Sequence, residues 1–217
     1  DDMLYPYRAL EIQGLYRAIV KTGRRMVLSL SPGDTATLDH IDHLRSHCEM
    51  WRTSPDLWDS WEELRAQFAR CRMWAPYSGP GHWADPDMLP LGRIGIRHDP
   101  LRGPDRPCRL TPDEQRALMT LWCIFRAPLM FGGDLPSLDP FTLSLLTNPE
   151  VLTVDQNSEG NRELFSRDEQ VAWIAQVPDS AERYVALFNL ADPGPAPMEV
   201  TFRQLKIKGS AQVRDLW

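Results

Sequence analysis

A parallel α/β layer, open sheet or barrel, followed by an antiparallel β portion of sandwich type is what the sequence predicts. Three observations predict it. Short apolar runs alternate with amphipathic stretches of helical length through about residue 150. Beyond that point the texture changes to strand-like runs separated by polar turns and a Pro/Gly-rich segment. Finally, 217 residues with 42% hydrophobic and 25% charged content suit one or two ordinary globular cores.

Each element has its own signal. Residues 7–22 carry Leu10, Ile12, Leu15, Ile19 and Val20 close to one helical face. Gly23 in Thr22-Gly23-Arg24 suits the left-handed residue just past a helix end. Residues 26–30 form a short buried-strand run, broken by Ser31-Pro32-Gly33-Asp34. A second helix is expected over 37–47 and a strand over 48–51. The stretch 56–72 is amphipathic, with Trp58, Trp61, Leu64 and Phe68 at steps of three and four. Thr111-Pro112-Asp113-Glu114 opens a helix over 111–126 with an N-cap, a first-turn Pro and an acidic first turn. An apolar run follows at 128–131 and a helix at 137–146. Strands are expected at 171–177, 184–190 and from Met198 to Phe202, with 211–217 reading as a further strand.

Composition excludes several functions. The formal charge is −6 with no basic block, which argues against nucleic acid or an anionic membrane surface as partner. No stretch of 18 apolar residues exists, so no spanning helix is expected. Four cysteines spaced 23, 37 and 15 apart match neither a disulfide scaffold nor a zinc pattern. The chain starts at Asp1 and stops within a strand-like run, so we read it as an internal piece of a longer protein. Compartment and oligomeric state stay open: a secreted or periplasmic location and a homo-oligomer are both compatible with it.

The candidate chemical groups sort quickly. His40, His43 and His47 share one face of the second helix, and His at i, i+4 can bind a divalent cation. No HExxH and no third ligand at a recognisable spacing accompany them, so a solvated face is expected and no metal or other cofactor is assigned. Ser31 lacks the GxSxG elbow of a nucleophile and suits a substrate hydrogen-bonder instead. Gly79-Pro80-Gly81 is too short for a phosphate loop. More telling, polar residues gather where strands end: Ser31 after the first run, Arg52 and Asp56 after the second, and Asp85 and Asp87 beside Trp83. In a (β/α)8 barrel those ends form the catalytic face. Carboxylates, an Arg and several Trp gathered there are what sugar hydrolysis needs.

Thr22-Gly23-Arg24, Trp51-Arg52 with Asp56 four residues on, the stretch Gly79-Pro80-Gly81-His82-Trp83-Ala84-Asp85-Pro86-Asp87-Met88-Leu89, and Ala127-Pro128-Leu129 with Asp134-Leu135 resemble glycoside hydrolase family 27. That family comprises retaining α-galactosidases and α-N-acetylgalactosaminidases. The resemblance runs to about Gln156 and implies the C-terminal part of a (β/α)8 TIM barrel over 1–150. It further implies part of an antiparallel β-sandwich over 151–217. It implies that Asp56 is the acid/base and that Arg52 touches the sugar near its 2-position. By the same resemblance Asp87 and Met88 line the pocket. The family nucleophile closes a Lys-x-Asp motif, and Asp1 stands where that Asp belongs.

Departures bear on the sugar. Where α-galactosidases have Cys-Glu-Trp, this chain has Leu30-Ser31-Pro32, and a Ser there resembles the N-acetylgalactosaminidase branch. Leu30 also removes the half-cystine that would pair with Cys48, which implies a free buried thiol. Ala84 replaces the usual Asn before Asp-Pro-Asp. The expectation is a retaining hydrolase of terminal α-galactosides, with Asp56 kept protonated by burial or by the charge of Asp1. The alternatives are an α-N-acetylgalactosaminide or a β-L-arabinopyranoside on the same machinery, and a silent carbohydrate-binding relative. A metal-dependent hydrolase using the histidine face is a further rival.

Overall fold

The computed structural model describes residues 6–97, 103–191 and 194–217. Two compact units form, Asp1–Met88 with Ala127–Met130, and Leu89–Arg126 with Phe131–Trp217.

In the first unit, α1 (Ala9–Lys21) buries Ile12 and ends at Thr22, with Gly23 at φ +67° donating its N–H to Val20. A left-handed residue there closes the last turn, and Gly adopts it without steric cost. The chain then enters β1 (Ser29–Leu30), passes two short 3-10 turns and forms α2 (Ile41–His47). β2 (Met50–Arg52) follows, then α3 (Trp61–Trp74) and β3 (Trp83–Asp85). The three strands pair in parallel in the order β1-β2-β3, with Leu30 beside Trp51 and Arg52 beside Asp85. Helices intervene between successive strands, as parallel pairing requires. Leu30, Leu44, Trp51, Leu64, Trp74 and Ala84 are all buried in this unit, and all are 2% exposed or less.

Helix α3 starts five residues later than the aromatic spacing predicts. Ser60 is its N-cap, accepting from Glu63 N–H at 3.5 Å, and Glu63 in turn accepts from Trp58 N–H at 2.8 Å. Those bonds satisfy backbone donors in a non-helical entry and leave 56–59 as a loop at the end of β2.

The second unit begins with the antiparallel pair β4 (Arg93–Ile94) and β5 (Arg106–Pro107). α4 (Pro112–Phe125) opens on the expected signal: Thr111 and Glu114 form a capping box with Pro112 at the first helical position. α5 (Pro140–Leu146) and α6 (Pro149–Asn157) follow, each entered through a side-chain cap and a Pro. The antiparallel sheet β6 (Glu159–Arg167), β7 (Gln170–Gln176) and β8 (Arg183–Asn189) has β7 at its centre, and β7 is accordingly its most buried strand. α4 packs against α6 and this sheet.

Three expectations fail locally. The run at 128–131 makes no strand beyond a single parallel bridge of Phe131 to Leu89. From Met198 to Phe202 there is no strand. Thr201 and Gln204 instead form a capping box that starts α7 (Phe202–Leu205). Residues 211–217 enter no ladder and are held by side chains, Asn148 donating to Leu216 O and Trp217 Nε1 to Thr120 Oγ1.

Candidate active site

The parallel register of the first unit sets three strand ends side by side. Ser31 lies one residue past β1, Arg52 ends β2 and Asp85 ends β3. Thr53 continues from β2 and donates both its N–H and its hydroxyl to Asp85 O, at 2.9 and 3.2 Å. The two strand ends are thereby tied beyond the last ladder pair.

Arg52, Asp56 and Asp87 come together on that platform. Arg52 Nη2 is 2.8 Å from Asp87 Oδ2, 3.5 Å from Asp56 Oδ1 and 3.2 Å from Ser54 O. The Arg52 and Asp87 side chains are only 14% and 12% exposed, so their attraction is little screened. Asp87 Oδ2 also accepts from Leu57 N–H at 2.6 Å. The loop that carries Asp56 is therefore pinned on both sides, at Thr53 by Asp85 and at Leu57 by Asp87.

Between those anchors Asp56 projects outward, its side chain 58% exposed. The burial expected to keep it protonated is absent, which corrects that part of the sequence reading. The buried carboxyls are Asp85 and Asp87. Burial pushes Asp85 up to about 6, against the opposing effects of Asp87 N–H and the Arg52 guanidinium. Burial likewise raises Asp87, opposed by Leu57 N–H and Arg52. Arg52 Nε is buried and has no hydrogen-bond partner among the described residues. A buried donor left unpaired is costly, so this one suits a ligand hydroxyl.

Of the other expected residues, Met88 follows Asp87 and is half-buried, as is Ser31. Asp1 lies outside the described residues. Asp85 was visible in the sequence only as one of two acids in Asp-Pro-Asp. Its tie to Thr53 depends on strand register, which spacing alone does not reveal.

The histidine face differs from expectation. His40, His43 and His47 are half-buried rather than solvated. Tyr7 stacks on His40 at 3.8 Å and bonds His43 Nδ1 at 2.8 Å, His43 stacks on His47, and Tyr16 meets His47 edge-on. Among the described residues no group of three or more His, Cys, Asp or Glu is placed to hold a metal ion. No helix there is long and apolar enough to cross a membrane. Cys48 is a free, buried thiol, as the loss of its family partner implies.

Comparison with known proteins agrees with this architecture. The family model described as alpha galactosidase A matches residues 9–157, and the alpha galactosidase C-terminal beta sandwich domain matches 167–217. Alpha-galactosidase 2 of Arabidopsis thaliana is 31% identical over 205 residues, covering 93% of this chain and 47% of the plant protein. The alpha-N-acetylgalactosaminidase of Mus musculus is 35% identical over 151 residues, 66% of this chain and 33% of its own. Among solved structures, a GH27 β-L-arabinopyranosidase from Geobacillus stearothermophilus superposes with a TM-score of 0.83 at 48% identity, covering 87% of this chain and 43% of that one. The chain thus spans about half or less of the length of these relatives. Its parallel β/α elements are those of the family's (β/α)8 barrel, and its antiparallel sheet is that of the β-sandwich that follows. The chain belongs to glycoside hydrolase family 27, the α-galactosidase family.

Proposed function

We propose that this chain carries the acid/base side of a retaining glycosidase site, in a protein that hydrolyses terminal α-linked galactose. The single observation that carries the reading is the junction of Arg52, Asp56 and Asp87 at adjoining parallel strand ends. Arg52, anchored by Asp87, keeps a free buried Nε for a ring hydroxyl. Asp56 stands exposed beside it, open to a glycosidic oxygen. Met88 and Ser31 flank the sugar by their positions; we assign residues 1–150 to the barrel and 151–217 to the sandwich, a reading supported by the order of the family-model matches at 9–157 and 167–217.

In the proposed reaction Asp1, assigned by the family motif, attacks the anomeric carbon while Asp56 gives its proton to the leaving glycosidic oxygen. The C–O bond breaks and a covalent glycosyl-enzyme forms. Asp56, now a carboxylate, takes a proton from water as that water displaces Asp1. The sugar leaves with its configuration retained, which requires the two carboxyls to lie about 5–5.5 Å apart. No cofactor enters these steps.

A second reading is a β-L-arabinopyranoside as substrate, and the 48% identity to the Geobacillus β-L-arabinopyranosidase favours it. That sugar matches α-galactose without its CH2OH, so the residues named here serve either. The test is hydrolysis of aryl α-galactoside, α-N-acetylgalactosaminide and β-L-arabinopyranoside by the full-length protein, with NMR of the first anomer released. Release of α-galactose supports the proposed substrate, whereas preference for the pentoside keeps the mechanism and changes the sugar. Turnover of none, with sugar binding intact, points to a silent relative and overturns the reading.

A further inference from the structure

Asp85 has no part in the chemistry above, yet it is buried to 5% exposure directly beneath it. Its Oδ1 accepts from Asp87 N–H at 2.8 Å. Pro86 between them has no N–H, so Asp87 carries the first backbone donor after β3 that the Asp85 carboxylate can take. Asp87 itself sits at φ +92°, in a region that residues with a side chain rarely occupy and that persists only when the surroundings hold it. From that conformation Asp87 Oδ2 reaches both Arg52 Nη2 at 2.8 Å and Leu57 N–H at 2.6 Å.

We infer that Asp85 is a positioning residue of the sugar site. Through its bond to Asp87 N–H it holds Asp87 in the strained conformation from which one carboxyl oxygen anchors both Arg52 and the loop carrying Asp56. The inference rests on the reading of Arg52, Asp56 and Asp87 as sugar-handling residues. It also accounts for a buried carboxyl at this spot. Removing a carboxylate from water is unfavourable unless hydrogen bonds compensate, and the Asp87 N–H supplies one. Burial still pushes Asp85 up to about 6, so the anchor is a carboxyl that ionises near neutral pH.

The test compares Asp85→Ala, Asp85→Ser and Asp85→Asn in the full-length protein by steady-state kinetics and crystallography. Asn keeps an acceptor at the Oδ1 position and Ala does not, while Ser is a second truncation should the Ala protein fail to fold. The truncations are expected to lower kcat on the order of 100-fold, the scale of a displacement of about 1 Å in a positioned group. Asn is expected to stay within about tenfold of the parent. In the crystal, truncation is expected to return Asp87 to negative φ and open its contact with Arg52, whereas Asn keeps both. Parent-like kcat in the truncations overturns the inference, as does an Asn variant as impaired as Ala. So does a truncated protein that retains the Asp87 φ and the Arg52 contact. Should the parent cleave none of the sugars, the glycosidase reading fails on its own, and the variant crystal structures still decide whether Asp85 holds Asp87.

Discussion

Arg52 and Asp87 meet at 2.8 Å across the ends of two adjoining parallel strands, and both side chains are largely buried. That pair is the structural centre of the site. Removing one partner strands the other charge away from water. Arg52→Ala is therefore expected to destabilise the protein by about 3 kcal/mol, the scale for breaking a buried ion pair. Arg52→Lys keeps the charge but loses the separate buried Nε donor beside the Nη2 that meets Ser54 O and Asp87, so kcat/KM is expected to fall roughly tenfold to a hundredfold. Chemical denaturation and kinetics on one preparation of each variant check both. A parent-like denaturation midpoint in Arg52→Ala would mean that the pair is not the anchor described.

Asp56 poses the opposite case. Its side chain is 58% exposed and its neighbours Thr53 and Leu57 hold the loop through backbone bonds. Asp56→Ala is expected to change stability by less than about 0.5 kcal/mol, as exposed substitutions do. Turnover of an aryl galactoside should fall by about 100-fold or more, the scale of losing a general acid. An active Asp56→Ala protein would place the acid/base elsewhere.

Legibility in the sequence followed the range of the interactions. The N-terminus of α4 could be read because Thr111, Pro112 and Glu114 act on one another within a single turn. Gly23 was legible for the same reason. The aromatic spacing misplaces the start of α3 because Trp58, Trp61, Leu64 and Phe68 keep a helical step across Ser60, where the Ser60 and Glu63 bonds end the loop. β6 left no readable pattern, since register shifts within Glu159–Arg167 interrupt the two-residue alternation. In the site, Arg52 and Asp56 could be paired by their four-residue spacing. Asp87 could be placed at the pocket by its motif, but the part of Asp85 emerges only with β2 and β3 in register and Asp87 at positive φ.

Asp155, at the end of α6, gives a pH dependence of definite sign. Burial raises its carboxyl to about 7, with the Arg126 guanidinium opposing. A carboxyl raised in the folded state contributes stability that is fully present below its unfolded value of about 4 and is lost as pH rises through 7. The size of that loss is roughly 2–4 kcal/mol. Asp155→Asn is expected to raise the thermal midpoint relative to the parent at pH 8 and to give little or no gain at pH 4. A gain of the same size at both pH values would show that the carboxyl does not titrate in this window.

His43 gives the reverse sign. Its ring stacks on His47, bonds Tyr7, which in turn stacks on His40, and carries a backbone bond at Ala9. Burial, then the neighbouring histidines His47 and His40, lower its pKa from the ordinary value, with the Ala9 bond opposing. A base depressed in the folded state contributes stability above its unfolded value of about 6.5 and loses it as pH falls through the lower folded value. Below that window His43 takes up a proton within its half-buried stack, and the packing of Tyr7 and Tyr16 on the α2 histidines weakens. The expected outcome is a difference in thermal midpoint between parent and His43→Phe that varies with pH. It should favour the parent most above pH 6.5 and shrink on acidification, because Phe stacks without titrating. A difference that stays flat from pH 8 to pH 5 would mean that His43 is held in a charge-independent contact.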